Sequence, residues 1–172
     1  IDGLIKDEVN CNDMKWLDKL ANIPQGGLKG LIYYKITEMI DKKIDVNLSV
    51  SEQLNKKSYW KFNEKRPQDI SKIIGVYSDN AIEAANICEK KEIDIQVYLE
   101  GNQLIFCIAN TFTGDIDLNK VDKEGYSSKG KNRGYGLALV KDIIDKYNDL
   151  SHERNIMGNY YIQYFKIRVK KK

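Results

Sequence analysis

Residues 125–137 read GYSSKGKNRGYGL, a basic, glycine-rich loop that runs straight into a helical pattern continuing to about Tyr147. That arrangement makes an anion site. The first backbone N–H groups of a helix have no internal partner and point outward. The helix dipole adds partial positive charge at the same end. Gly134 and Gly136 let the backbone approach a phosphate closely. Lys129, Lys131 and Arg133 bring cationic donors to the same place. An ordinary loop-to-helix joint can have the same composition, so the reading depends on a second segment.

That segment is residues 70–87, ISKIIGVYSDNAIEAANI. Ile70, Ile73, Ile74, Tyr77, Ala81, Ala84 and Cys88 recur at helical spacing and predict one apolar face. Pro67 and Asp69 precede it, as a helix start and N-cap require. Val76, Asn80, Glu83 and Ile87 fall on a neighbouring stripe, which puts Asn80 mid-helix at the edge of the buried face. Asparagine competes for backbone hydrogen bonds and is a poor interior helix residue. Two readings stay open for it: a solvated surface side chain, or an oxygen ligand for Mg²⁺, an ion commonly shared with substrate phosphates.

At this point the chain resembles a known family. Ser78-Asp79-Asn80-Ala81-Ile82-Glu83-Ala84-Ala85 looks like the N box of the GHKL ATP-binding superfamily. Ser127-Ser128-Lys129-Gly130 through Gly134-Tyr135-Gly136-Leu137 looks like its lid end and second glycine box. The two motifs, about fifty residues apart, are most similar to those of AgrC-type quorum-sensing histidine kinases. The resemblance covers roughly residues 24–172. It implies that Asn80 binds Mg²⁺, with Glu83 either a second carboxylate acting through water or a surface charge. It implies that Ser128, Lys129, Gly130, Arg133, Gly134, Tyr135, Gly136 and Leu137 surround ATP, with Asn80 and Lys129 as the catalytic pair.

Two departures from the family pattern bear on chemistry. The first glycine box is absent, and the strand before it ends at Asn110, where the family has an adenine-binding Asp. AgrC-type kinases resemble this chain there. Asn110 can accept from the adenine amine through its side-chain oxygen, or it can simply begin a turn. The water-activating Glu of GHKL ATPases such as gyrase corresponds to Val76, and valine cannot be a general base. That favours transfer to a nucleophile with its own lone pair, as a histidine has. The one histidine, His152, falls in what reads as a polar turn over 148–155. The phosphoacceptor is therefore expected on a dimerisation hairpin elsewhere, with residues 1–22 as the end of that hairpin and 23–172 as the ATP-binding domain.

The elements that must position these residues follow from periodicity. A helix is expected over 28–43 and a short strand over 44–48. Residues 93–99 alternate as a half-buried strand, 100–103 are turn chemistry, and 104–109 form an apolar run expected of a strand covered on both sides. A last strand runs over 160–169, with Tyr161, Tyr164 or Phe165, Ile167 and Val169 as core contacts. The fold class is α+β, a two-layer α/β sandwich of mixed sheet with helices on one face. The resemblance names the same GHKL architecture. Residues 111–133 lack core periodicity, and loops of that length are commonly functional lids, here an ATP lid.

The 172 residues can bury a full core. Net charge is +3, with 25 acids interspersed among the bases, so nucleic acid is not favoured as a partner. Cys11, Cys88 and Cys107 have no metal-ligand spacing and suggest reduced thiols. No long apolar run spans a membrane, and the stretch reads as a soluble cytoplasmic part. The resemblance implies a membrane-anchored homodimeric sensor that passes phosphate to a response regulator. Another GHKL ATPase, a protein serine kinase and a nucleotide-free binding module stay open as alternatives.

Overall fold

The computed structural model describes residues 15–61, 66–120 and 135–169. Helix α3 spans Arg66–Asn86. Ile70, Ile73, Ile74, Tyr77, Ala81 and Ala85 are buried on one face, and Ser78 and Ile82 widen the stripe. Ala84, expected in that face, is only half-buried, and Ala85 takes the inner position. The helix begins earlier than its apolar periodicity, at Arg66 and Pro67. Proline is tolerated in a first turn because the N–H it lacks would have no helical partner there. Asp69 lies inside the first turn instead of capping it. Its carboxylate accepts from the Tyr147 hydroxyl at 2.6 Å. Arg66 pairs with Asp149 and lies over the Tyr147 ring, 5.1 Å from its centroid. This cluster ties the start of α3 to residues 147–149.

Five strands form one mixed sheet in the order β1-β2-β3-β5-β4. They are β1 Asp45–Val50, β2 Glu92–Glu100, β3 Gln103–Thr111, β4 Leu150–Met157 and β5 Tyr160–Arg168. β1 runs parallel to β2, and the other pairs are antiparallel. The β2–β3 turn uses Gly101 at φ 59°, a conformation that glycine adopts without a Cβ penalty. Helices α1 Lys15–Leu20, α2 Gly26–Asp41, α3 and α4 Tyr135–Ile144 complete the elements. The result is the α+β sandwich expected from the periodicity.

The side chains of Ile93, Ile95 and Val97 on β2, Leu104, Phe106 and Ile108 on β3, and Phe165 and Ile167 on β5 are buried in the core beneath the helices. Register and alternation put Asn110, Tyr161 and Gln163 on the same face. Of the alternatives 164 and 165, Phe165 is the core residue, and Val169 packs only partly against it. Among the described residues, no second layer of helices covers the outer face of β3. Its outer residues Ile105 and Cys107 stand in register with Tyr98 and Tyr164, whose half-buried rings share that face. Burial there pushes the Cys107 thiol up to about 11. Cys88 and Cys107 are both free and buried.

Leu20 and Ile23 both join the core, Trp16 packs its ring 5.5 Å from that of Tyr33, and the Asn22 amide donates to the Val50 carbonyl at 3.3 Å. The described part of the first 22 residues thus packs on the domain. Among the described residues no helix is long and apolar enough to cross a membrane.

Candidate functional site

The asparagine helix α3 and the glycine-box helix α4 meet at Val76 and Gly136. A Cβ on Gly136 would lie 3.0 Å from Val76 Cγ1. This glycine therefore permits close helix packing, a role distinct from phosphate approach. Val76 serves as the surface on which α4 rests. Gly136→Val is expected to destabilise the fold by about 1–3 kcal/mol through overpacking. Chemical denaturation measures it, and Val76→Ala in the same chain should recover part of the loss because the two sites touch.

One turn beyond Val76, Asn80 is half-buried at the edge of the packed face. Its carboxamide oxygen is a hard donor of the kind that Mg²⁺ takes. Among the described residues no cluster of three His, Cys, Asp or Glu side chains could hold a metal. Glu83, three residues on from Asn80, is exposed. With Glu38, Lys42, Asp79, Ile82 and Asn86 it lines an open groove of about 310 Å³ between α2 and α3. Lys35 bridges that groove's walls, donating to Asp79 at 2.5 Å and Glu38 at 3.1 Å. Partial burial opposes its charge, but the two carboxylates outweigh it and hold Lys35 above its ordinary pKa.

Asn110 is fully buried near the end of β3. Its Nδ2 donates to the Thr111 carbonyl at 2.9 Å, while Oδ1 has no partner among the described residues. The strand end is held firmly. The Thr111 hydroxyl accepts from the Glu92 N–H at 3.1 Å, and the Tyr160 hydroxyl donates to the Glu92 carboxylate. Tyr160 and then Lys90 hold that carboxyl below its usual range. The Asn110 amide is thus oriented by its own backbone bond, and its Oδ1 is left as an acceptor without a partner among the described residues. That is what an adenine amine requires.

Of the glycine-box residues, Tyr135 is 55% exposed and Leu137 packs partly on the core. Ser128, Lys129, Gly130, Arg133 and Gly134 lie outside the described residues. His152 is not in a turn. It sits in β4, half-buried, in register with Phe165 on the helix-facing side. The turn ends at Asp149, and the inward positions of β4 carry His152 and Arg154 between Leu150 and Ile156. Polar residues at inward positions conceal a strand from a hydrophobicity pattern. The same effect hid Gln163, which is fully buried on β5 opposite Arg154. The Arg154 guanidinium carbon lies 6.0 Å from the Tyr77 ring centroid. Period-two reading of 150–157 and 161–167 was the signal that could have found all three.

The GHKL domain family model matches residues 66–166, from the first residue of α3 to the last strand. The chain belongs to the GHKL family. Among curated relatives, the sensor protein CitS of Bacillus subtilis (strain 168) is 39% identical over 74 residues, 42% of this chain and 14% of that protein. The sensor protein CitS of Halalkalibacterium halodurans is 31% identical over 115 residues, 64% of this chain and 21% of that protein. The chain thus covers about a fifth or less of those relatives' length. Among solved structures, the nucleotide-free catalytic domain of histidine kinase ThkA superposes with TM-score 0.63 at 15% identity, over 82% of this chain and 89% of that one. Acinetobacter baumannii histidine kinase AdeS gives TM-score 0.58 at 16% identity, over 83% and 65%. Full-length ShkA in complex with AMPPNP gives 0.59 at 15% identity, over 83% and 29%. At these identities the likeness is one of fold, and it is the GHKL fold of histidine kinase catalytic domains.

Proposed function

We propose that this GHKL domain is the ATP-binding catalytic part of a sensor histidine kinase, and that it passes the γ-phosphate of ATP to a histidine on a dimerisation hairpin. The observation that carries the reading is the buried Oδ1 of Asn110, near the end of β3, which has no partner among the described residues. A buried acceptor left without a donor costs about 1–3 kcal/mol, and an adenine amine would supply the donor. Residues 1–22 are the end of the hairpin in this proposal.

The residues divide the work. Asn80 offers its oxygen to Mg²⁺, which when bound neutralises phosphate charge. Lys129 and Arg133 bring positive charge to the phosphates from the lid, with Ser128 and Gly130 beside them. Gly134, Tyr135, Gly136 and Leu137 present the N-terminal amides of α4 to the same group. Val76 gives no base for activating water, so the chain favours a nucleophile that supplies its own lone pair. Glu83 faces the α2–α3 groove, which supports the surface-charge reading over a role at the metal.

The finer reading is an AgrC-like, membrane-anchored homodimer that answers a peptide pheromone and signals to a response regulator. It rests on Asn110 in place of Asp and on the N-box wording. The relatives named CitS support a sensor protein without that input. Calorimetric titration with a non-hydrolysable ATP analogue, with and without Mg²⁺, tests the core of the proposal. Saturable binding of about −6 kcal/mol, tens of micromolar, is expected with Mg²⁺. Asn110→Asp should keep or tighten it, because a charged acceptor makes the stronger bond. Asn110→Leu should remove it. Binding indifferent to residue 110 would refute the adenine contact, and no binding in either condition would favour a nucleotide-free module.

A further inference from the structure

Gln163 has no exposed surface, and neither its Oε1 nor its Nε2 finds a partner among the described residues. Buried side-chain amides are nearly always satisfied, because an unmade donor and acceptor in the core cost free energy that an apolar residue of the same volume would not. The placement of this amide points to what satisfies it. In the β3–β5 register, Asn110 pairs with Tyr161 and Ile108 with Gln163. Asn110 and Gln163 are therefore diagonal neighbours on the helix-facing side. Diagonal positions on adjacent antiparallel strands are about 7–8 Å apart, within reach of long side chains. Three buried, unpartnered amide atoms thus gather on one patch: Asn110 Oδ1 and both polar atoms of Gln163. The neighbouring cation is engaged elsewhere, since Arg154, in register with Gln163, lies over Tyr77 of α3.

We propose that Gln163 is a second base-reading residue, whose amide pairs with the donor–acceptor edge of the adenine whose amine Asn110 accepts. This rests on the nucleotide-site reading above and deepens it. The adenine amine has two hydrogens. One meets Asn110 Oδ1 and the other meets Gln163 Oε1, while Gln163 Nε2 donates to the ring nitrogen beside the amine. An amide paired with that edge is a specific adenine contact. Guanine presents a carbonyl oxygen in place of the amine. It would face the fixed acceptor of Asn110, so the pair together selects adenine.

The test titrates the wild-type chain, Gln163→Leu and the near-isosteric Gln163→Met with ADP and with the purine nucleoside diphosphate that lacks the 6-amine. The melting temperature of each nucleotide-free chain is recorded alongside. Both variants should bind ADP about tenfold more weakly, lose clearly less on the analogue, and melt at the wild-type temperature or higher. Equal losses on the two ligands, unchanged ADP affinity, or lower melting of both variants would overturn the proposal and make Gln163 a structural residue. If the wild type binds ADP through Asn110 while both variants match it, only this inference falls. If the wild type binds neither ligand, the nucleotide-site reading falls with it.

Discussion

Asn80→Ala is expected to abolish Mg²⁺-dependent nucleotide binding and to cut phosphotransfer by about a hundredfold or more, the size of effect seen when one preorganised electrostatic group is removed from a transition state. The fold should not suffer. Asn80 is half-buried at the margin of α3, outside the buried stripe of that helix. Alanine is also the better helix former, by about half a kcal/mol, so the melting temperature should hold or rise slightly. The metal is the sensitive step. Among the described residues no cluster of three acidic, histidine or cysteine side chains stands ready to replace the lost oxygen. Titration with and without Mg²⁺ separates the two terms. Residual metal-independent binding through Asn110 is compatible with the assignment. A Mg²⁺-dependent increment of wild-type size in the alanine variant would refute it.

The parts legible in the sequence share one property: their inward faces are apolar. α3 repeats isoleucine and alanine at helical spacing, and β2 alternates, so both elements declare themselves within a residue or two at most points. The start of α3 is an exception. Arg66 begins the helix, held by contacts with Asp149 and Tyr147, which are distant in sequence. β4 is the larger failure. Its inner face carries His152 and Arg154, and a strand with polar residues inside looks like a turn. Gln163 is inconspicuous for the same reason, a polar gap in an apolar strand. Such local violations of binary patterning are where function or strain tends to sit. Asn110 and Asn80 were found by motif, since nothing in hydrophobic periodicity distinguishes a buried asparagine that waits for a ligand from one that ends a strand. The Gly136–Val76 contact was out of reach for a different reason: a helix crossing is a tertiary fact.

Phe106→Ala carries the largest expected stability loss, about 3–5 kcal/mol. Phe106 is 2% exposed, stacks on Phe165 at 6.0 Å and meets the edge of Trp60 at 6.2 Å. Aromatic pairs of this kind add to the cost of the cavity. A domain of this size holds about 5–15 kcal/mol in all, so the variant should unfold at markedly lower denaturant with an unchanged slope. A loss under about 1 kcal/mol would mean that the core relaxes around the missing ring. Phe106 also shares its strand and face with Ile108 and Asn110, so the substitution should weaken nucleotide binding in proportion to the unfolded fraction. That gives a way to tell it from a site defect. A ligand that binds only the folded chain stabilises it by about 2.7 kcal/mol at a hundred times its Kd. Nucleotide should therefore raise the melting temperature of Phe106→Ala as it does that of the wild type, and lower temperature should restore binding. Asn80→Ala should lack the Mg²⁺-dependent part of that stabilisation at every temperature, because its chain is folded already and lacks the oxygen.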